Sequence, residues 1–167
     1  MAIRWNGGKM PKYLVTLTSD DFVDVKHFIG FLDKHELSEP GLHGKDLFYS
    51  TTNKHVKKGD IIIFLHKRAM KDDIHLVGYA GVAHSVQGLF FGLPGHDGKR
   101  KTYHSIIAID PGKKVVKKVK LAKKQLTDLL KDTMDKNKLK EFSLPKLARS
   151  GAFISEKEWK KLKGLVK

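Results

Sequence analysis

The sequence predicts an α+β fold in which a small mixed sheet or open barrel is flanked by helices. Three observations predict it: strand-like segments fill most of the first two thirds, a helical pattern follows the first strand, and the C-terminal third changes to helical spacing. The length of 167 residues corresponds to about one domain. We therefore expect a single domain over residues 1–167, with residues 1–11 as a leader.

The first two elements are a strand and a helix. Tyr13 to Thr18 is rich in β-branched and aromatic side chains, which favours a strand. Ser19 and the two aspartates that follow provide a helix N-cap with acidic residues in the first turn. Apolar residues then recur at helical spacing up to Lys34: Phe22, Val25, Phe28, Ile29 and Leu32.

The middle of the chain alternates strands with turns. Asp46 to Thr51 indicates a short extended piece or the start of a loop, and Lys57 to Asp60 indicates a turn. Ile61 to His66 is an apolar run, which is typical of a strand in the middle of a sheet. Ile74 to Ala83 predicts a second long strand, whose two glycines indicate a bulge or a strong bend.

A basic region follows this strand. Phe90 to Gly95 predicts an aromatic-bearing loop that runs into the first cluster of basic residues. Thr102 to Asp110 predicts another strand, and Asp110 to Lys113 predicts a tight turn. Valines alternate imperfectly with lysines over Val115 to Val119, which indicates a further strand.

The C-terminal third is helical in character. Leu126 to Met134 predicts one helix. Ser155 and Glu158 form a capping box that opens a last helix. Trp159, Leu162 and Val166 lie on one face of that helix, and we expect Trp159 to anchor it in the core.

The charge of the chain predicts a polyanionic partner. Lys and Arg number 33 against 18 Asp and Glu, which gives a net charge of +15. The stretch from Lys99 to Lys124 contains ten basic residues and a single acidic residue, Asp110. A charge concentrated in this way is typical of a nucleic-acid-binding face.

Several classes of protein are excluded or disfavoured. The chain has no cysteine, so a disulfide framework, a thiolate zinc site and a cysteine nucleophile are excluded. No apolar run approaches the ~20 residues that span a bilayer, and the N-terminus has no apolar signal segment, so we expect a cytoplasmic protein without a membrane partner. The lack of cysteine and the scarcity of glutamine are typical of a thermophile.

No motif indicates catalysis. The glycine-rich phosphate-binding and nucleophile motifs are absent, and the nine histidines are spaced singly, without the short-range pairs of zinc sites. We therefore expect no enzymatic activity, no catalytic residue, no cofactor and no metal site.

Two aromatic pairs lie in predicted connecting segments. Phe48 and Tyr49 precede the central strand, and Phe90 and Phe91 follow the next strand. Such rings either plug the ends of a small barrel or stack on a base flipped out of a nucleic acid. Stacking on a ring is worth about 1–3 kcal/mol per base, and flipping costs a few kcal/mol. Two rings on one base would therefore offset the cost of flipping.

The order of the segments resembles the EVE domain of the PUA-like superfamily, which is related to YTH domains. The resemblance extends roughly from residue 12 to 165 and rests on Tyr13–Thr18 with the acid-capped helix, Val56–Phe64, Val77–Val82 and Leu144–Ser155 with Glu158 and Trp159. It implies a PUA-like (EVE/YTH-type) small mixed β-barrel flanked by helices. It also implies an aromatic cage at one end of the barrel and a basic face around it.

The resemblance further implies which residues bind. Tyr49-Ser50-Thr51 is similar to the Trp-Ser-Thr that forms one cage wall in YTH domains, and either Phe90 or Phe91 falls in the loop of the second wall. Thr18 and Ser19 match positions on the polar edge of the cage. The predicted phosphate-binding residues flank the pocket and extend from it: Lys99, Arg100, Lys101, Lys113, Lys114 and Lys117.

The expected function is therefore a non-catalytic nucleic-acid-binding module that recognises a flipped, methylated base, with DNA favoured over RNA. Some EVE-like domains are the N-terminal DNA-recognition modules of modification-dependent restriction enzymes, so we expect the chain to be part of a larger multidomain protein. Two alternatives stay open. One is a PUA-like domain that binds tRNA or rRNA without specificity for a modified base, and the other is a basic protein-interaction domain.

Overall fold

The computed structural model describes residues 11–17, 46–50, 56–67, 74–94, 100–139 and 152–166. Within them the chain forms the strands β1 Tyr13–Leu17, β2 Asp46–Ser50, β3 Ile61–Lys67, β4 Ile74–Pro94, β5 Arg100–Leu121 and β6 Ala152–Ile154. The helices are α1 Lys123–Leu129, α2 Lys131–Lys136 and α3 Glu156–Leu165. The helix predicted after Ser19 lies outside the described residues.

The strands form one mixed sheet in the order β2-β5-β4-β3-β1-β6. Strand β1 pairs in parallel with β3, with Tyr13 opposite Ile61, and the other neighbours pair antiparallel. The predicted α+β class is thereby confirmed as one mixed sheet with few helices, and the PUA-like barrel stays a prediction. Ile61–Lys67 lies between β1 and β4 with its middle residues buried, so the predicted central strand is confirmed.

The two predicted glycine bends in β4 are confirmed as interruptions of the ladder with β5. The register shifts between Leu76 and Gly78 and again between Ala80 and Gly81. Gly78 has φ +142, and a Cβ at this position would meet the carbonyl oxygen of Val115 on the facing strand. Only glycine fits there, because both the backbone conformation and the close approach of β5 exclude a side chain.

The tight turn predicted at Asp110 to Lys113 is wrong. Gly81 pairs with Asp110 and Ala80 with Lys114, so the intervening residues form a bulge inside the long strand β5. The Oδ1 atom of Asp110 accepts a hydrogen bond from the backbone N–H of Gly112 at 3.0 Å. Proline and glycine are tolerated in a bulge because the bulged residues do not have to donate to the ladder.

Two apolar clusters form the core. Successive residues of a strand point to opposite faces of a sheet, and the clusters follow this alternation, with Val15 in one and Leu14 in the other. The first cluster joins the sheet to the helices and includes Tyr13, Ile63, Leu65, Leu126, Met134, Trp159 and Leu162. The second includes Ile62, Phe64, Val77 and Ile107.

The C-terminal helices differ from the prediction in one respect. The single helix predicted from Leu126 to Met134 is two short helices, α1 and α2, which meet at Leu130. The last helix is as predicted: the Ser155 hydroxyl accepts from the N–H of Glu158, and the carboxylate of Glu158 reaches back to the N–H of Ser155. Trp159 is 7% exposed, which confirms its role as a core anchor.

Glu158 also connects α3 to α2. Its side chain is 1% exposed and accepts hydrogen bonds from the backbone N–H of Thr133 at 3.2 Å and from the Thr133 hydroxyl at 2.6 Å. The Ser155 hydroxyl contacts the same carboxylate at 3.0 Å. A buried carboxylate is tolerated only when its oxygens are satisfied, and here two helices satisfy them.

We predict that Glu158→Ala lowers the free energy of unfolding by about 2–4 kcal/mol, because it leaves the buried donors of Thr133 and Ser155 without their acceptor. Urea unfolding of the variant and the wild type measures the difference. The matched control is Glu156→Ala on the same helix, whose exposed ion pair with Lys160 at 3.6 Å contributes at most about 1 kcal/mol. Equal destabilisation of the two variants would contradict this account of the network.

Candidate nucleic-acid interface

Among the described residues, the end of the β4–β5 pair extends beyond the other strands of the sheet. Strand β2 pairs with β5 from Asp46 opposite Ile109 to Ser50 opposite Ser105. Beyond that point β4 and β5 continue together, with Phe90 opposite Tyr103. We call this two-stranded end, residues 90–94 and 100–103, the ribbon. The prediction that Phe90 and Phe91 lie in a loop is wrong, because pairing with β5 keeps both of them in a strand.

Exposed apolar side chains lie on the ribbon and on the part of β4 that leads into it. Phe91 is 72% exposed, and Leu89 and Val86 are 53% and 45% exposed. An isolated exposed apolar residue is common, but three within six residues of one strand are typical of a binding surface. Phe90 differs from its neighbour and is half-buried.

Arg100 crosses the ribbon. Its Nη1 atom donates a hydrogen bond to the carbonyl oxygen of Gly92 at 2.6 Å, and its side chain is otherwise exposed. Gly92 has φ +65, a left-handed conformation that glycine adopts at no steric cost. The hydrogen bond holds a permanent positive charge at the backbone of Gly92, the residue that follows Phe91 in the chain.

The register shows how the predicted cage residues are placed. Tyr49 lies opposite Ile106 and Phe90 opposite Tyr103, so both positions flank β5 but three residues apart. From strand spacing and rise, these positions are about 14 Å apart and belong to opposite faces of the sheet. The backbone therefore does not set Tyr49 and Phe90 as two sides of one slot.

Tyr49 shares a row of the sheet with an exposed residue. Both Tyr49 and Val86 lie opposite Ile106, on either side of β5. Directly opposed residues of antiparallel strands belong to the same face. Because Val86 is 45% exposed, the position of Tyr49 belongs to the face that is open to solvent at this point. We call the face that carries Val86 and Ile106 the open face.

The hydroxyl of Ser105 is buried near the predicted site, and the sequence did not indicate it. Ser105 is 0% exposed, and its Oγ atom has no hydrogen-bond partner among the described residues. It lies opposite both Ser50 and Gln87. A serine inside a strand carries no sequence signature, and only the pairing of β2, β5 and β4 reveals this polar row.

The predicted phosphate-binding residues fall into two groups. Arg100 is in the ribbon, whereas Lys113 lies in the bulge and Lys114 and Lys117 lie beyond it in the other half of β5. Lys113 and Lys117 are exposed, and Lys114 is half-buried. The backbone of Lys101 continues the ribbon opposite Leu93. The remaining predicted residues lie outside the described residues: Thr18, Ser19, Thr51 and Lys99.

The chain is similar to a solved DNA-bound domain. The N-terminal domain of Thermococcus gammatolerans McrB, solved bound to m5C DNA, matches with 11% sequence identity and a TM-score of 0.48, over 93% of this chain and 99% of that chain. No protein-family model and no curated protein matches the sequence. Membership of the EVE family accordingly stays a prediction.

Two further properties concern metals and membranes. Among residues whose placement is described, no group of three or more His, Asp or Glu side chains is arranged to hold a metal ion. None of the helices in that part of the chain is long and apolar enough to cross a membrane.

We predict that Phe91→Ala changes the free energy of unfolding by no more than about 0.5 kcal/mol, because a ring that is 72% exposed contributes little to the core. The matched substitution Phe64→Ala, at a ring that is 0% exposed, is expected to cost about 3–5 kcal/mol. Chemical denaturation of both variants measures the two values. A large destabilisation by Phe91→Ala would show that this ring serves the fold and not an interface.

Proposed function

We propose that this chain is a non-catalytic DNA-binding domain that recognises a flipped, methylated base. The observation that carries the proposal is the ribbon, a two-stranded extension with an exposed aromatic ring at Phe91 on one strand and, on the other strand, the guanidinium of Arg100 held at the carbonyl of Gly92. Neither feature contributes to the core, and each matches one component of a nucleic acid: the ring matches a base and the guanidinium matches a phosphate.

The dimensions of the ribbon support DNA over RNA. The major groove of B-form DNA admits a two-stranded β-ribbon, whereas the major groove of A-form RNA is too deep and narrow for side chains to read. Exposed apolar side chains on such an element can also separate base steps and support an extruded base. Phe91 is placed for this role, because it is the most exposed large apolar side chain of the described residues.

The base is proposed to lie on the open face beside Tyr49, with Phe91 supporting it from the ribbon. Ile106 is half-buried and Val86 is exposed, so together they offer an apolar floor. A methyl group on the base would add apolar contact with this floor, which is the physical basis proposed for preferring a methylated base. Phe91 is preferred over Phe90, whose paired position belongs to the other face. Thr51, Thr18 and Ser19 are proposed to supply polar contacts to the base edge, whereas the position of Ser50, opposite Ser105, belongs to the other face of the sheet.

Phosphate contacts are proposed to come from the basic residues of β5 and its flanks. Arg100 lies in the ribbon, and we assign Lys99 and Lys101, its neighbours in the sequence, to the same role. The lysines beyond the bulge would extend the footprint along the duplex, which raises affinity for any sequence without selecting a base. We further propose that the domain supplies DNA specificity to a modification-dependent restriction system.

We predict that the protein binds a duplex containing one methylated base more tightly than the unmodified duplex, and that Tyr49→Ala and Phe91→Ala each remove most of this preference. Removal of one stacking ring is expected to weaken binding to the methylated duplex by about 5-fold to 150-fold, which corresponds to about 1–3 kcal/mol. Fluorescence anisotropy with matched duplexes carrying methylcytosine, methyladenine or neither measures the effect.

Leu165→Ala is the control for this experiment, since Leu165 is an exposed apolar residue of α3, 36% exposed. It should leave affinity and preference unchanged. Equal affinity of the wild type for methylated and unmodified duplexes would exclude base recognition. Tighter binding to matched unmodified RNA, with Tyr49→Ala having no effect, would favour the RNA-binding alternative.

We also predict that Lys118→Ala combined with Lys124→Ala weakens binding to methylated and unmodified DNA by the same factor. Both exposed lysines lie in the basic segment, the stretch from Lys99 to Lys124, and neither lies near the ribbon. For each phosphate that is no longer neutralised, the slope of log affinity against log salt concentration should become shallower by about 0.9. Titrations at several salt concentrations measure the slope.

The control for the lysine experiment is Lys157→Ala with Lys161→Ala, two exposed lysines of α3. This double variant has the same net charge as the double variant in the basic segment, so it separates local contacts from overall charge. A wild-type affinity that does not depend on salt would exclude the electrostatic part of the proposal and favour a protein partner.

A further inference from the structure

A cleft of about 550 Å³ lies away from the ribbon, between the start of β1, the turn before β3, the middle of β4 and β5, and α3. Tyr79, which lines the cleft, and Phe91 in the ribbon are twelve positions apart along β4. The volume is within the range of about 300–1,000 Å³ that is typical of small-molecule sites. Nothing in the sequence indicates this cleft, because its walls come from segments far apart in the chain.

The floor of the cleft is a rigid aromatic cluster. The rings of Tyr13 and Trp159 stack with centroids 5.2 Å apart at 16°, and Tyr79 meets Trp159 edge to face at 4.8 Å and 89°. Burial, reinforced by the charge of Glu156, raises the pKa of the Tyr13 hydroxyl above its usual value. The floor is therefore neutral and already packed, with both Tyr13 and Trp159 less than one-tenth exposed.

The rim of the cleft is cationic. Four lysines from three separate elements line it: Lys58, Lys113, Lys114 and Lys163. The Nζ atom of Lys163 lies 5.9 Å from the centroid of the Trp159 ring. Cations from a turn, a strand and a helix thus converge over one aromatic floor.

One carboxylate, that of Asp60, lines the same cleft, and it is occupied by the backbone. Its Oδ1 accepts from the N–H of Lys12 at 3.0 Å and its Oδ2 from the N–H of Lys57 at 2.9 Å, and the residue is only 6% exposed. Asp60 therefore fixes the turn that carries Lys58 and is not oriented by the rim lysines. Among the described residues that line the cleft, lysines therefore outnumber carboxylates by four to one.

Local backbone features place the lysines at the cleft. The bulge in β5 carries Lys113, and the stem of this lysine crosses β4 at Gly81, where an added Cβ would lie 2.9 Å from the Cβ of Lys113. Any side chain at position 81 would push the stem aside. The glycine thus serves the position of a cleft lysine as well as the bend of the strand.

We propose that this cleft binds a nucleoside phosphate, with the phosphate at the lysine rim and the nucleoside against the apolar wall formed by Tyr79, Val115 and Ile61. Ammonium groups bind phosphate through charge-assisted hydrogen bonds, and a mixed aromatic and aliphatic wall suits a base and its sugar. The ligand is either a free nucleotide or a nucleotide within a nucleic-acid strand. The proposal uses residues other than the open face and stands independently of base recognition by the ribbon.

The test uses the full chain with Trp5→Phe, which leaves Trp159 as the single tryptophan, since the sequence has two. Adenosine 5′-monophosphate, adenosine, inorganic phosphate and a short single-stranded oligonucleotide with or without a 5′-phosphate are titrated while tryptophan fluorescence is followed. Isothermal titration calorimetry repeats each titration. We expect saturable binding of a nucleoside phosphate, with adenosine and inorganic phosphate each at least about tenfold weaker.

Lys113→Ala combined with Lys163→Ala is expected to weaken this binding at least about tenfold, because it removes two phosphate contacts. Lys157→Ala combined with Lys161→Ala removes the same charge outside the cleft and is expected to change affinity by less than about twofold. Saturation by the monophosphate indicates the free nucleotide as ligand, and saturation only by the 5′-phosphorylated oligonucleotide indicates a strand end.

Four results would overturn the proposal: no saturable binding by either method, adenosine binding as tightly as the monophosphate, inorganic phosphate binding as tightly as the monophosphate, or equal weakening by the two lysine pairs. The cleft and base recognition by the ribbon fail separately. Absence of nucleotide binding with intact discrimination of methylated DNA would overturn only the cleft, and the reverse result would overturn only base recognition.

Discussion

The pairing of β4 with β5 is the interaction on which the rest of the structure depends. These strands have 21 and 22 residues, far longer than the usual strand of about 5–6 residues. Their middle part lies within the sheet that carries both apolar clusters. One end runs past β2 as the ribbon, and the bulge beyond Asp110 carries a lysine to the cleft. A change in the register of this one ladder would therefore displace the core, the ribbon and the cleft together.

The two candidate sites differ in how their aromatic rings and basic side chains are arranged. In the ribbon the ring of Phe91 is exposed on one strand, and the charge on the other strand is a single guanidinium held by a backbone carbonyl. In the cleft the rings of Tyr13 and Trp159 are packed against each other and the lysines stand above them. An exposed ring offers a stacking surface, whereas a packed floor offers shape and leaves binding to the charged rim. Basic residues thus occur in two distinct geometries, a single arginine in the ribbon and four lysines at the cleft.

Elements whose signals are local could be predicted from the sequence. The apolar run of β3 and the capping box of Ser155 and Glu158 predicted the right elements, because burial on both faces and helix capping depend on adjacent residues. The predictions of a loop at Phe90–Phe91 and a turn at Asp110–Lys113 were wrong, because glycine and proline also occur where residues bulge out of a ladder that continues on both sides. Ser105 and the cleft could not be predicted, since both depend on which strands become neighbours. The sequence suggested suitable residue types for the predicted cage. Only the register of the strands shows that the positions of Tyr49 and Phe90 belong to opposite faces of the sheet.

The edges of the ribbon also affect how readily the protein could associate with a second copy of itself. Where β4 and β5 continue past β2, the described backbone has hydrogen-bonding groups along its outer sides, and such edges promote pairing with other chains. Register shifts on both sides of Phe90 interrupt the regular edge, Pro94 removes one donor, and Arg100 adds charge. The same irregularities that make this strand resemble a loop in the sequence thus protect it against aggregation. A two-stranded extension with exposed apolar side chains must also resist joining a second copy of itself.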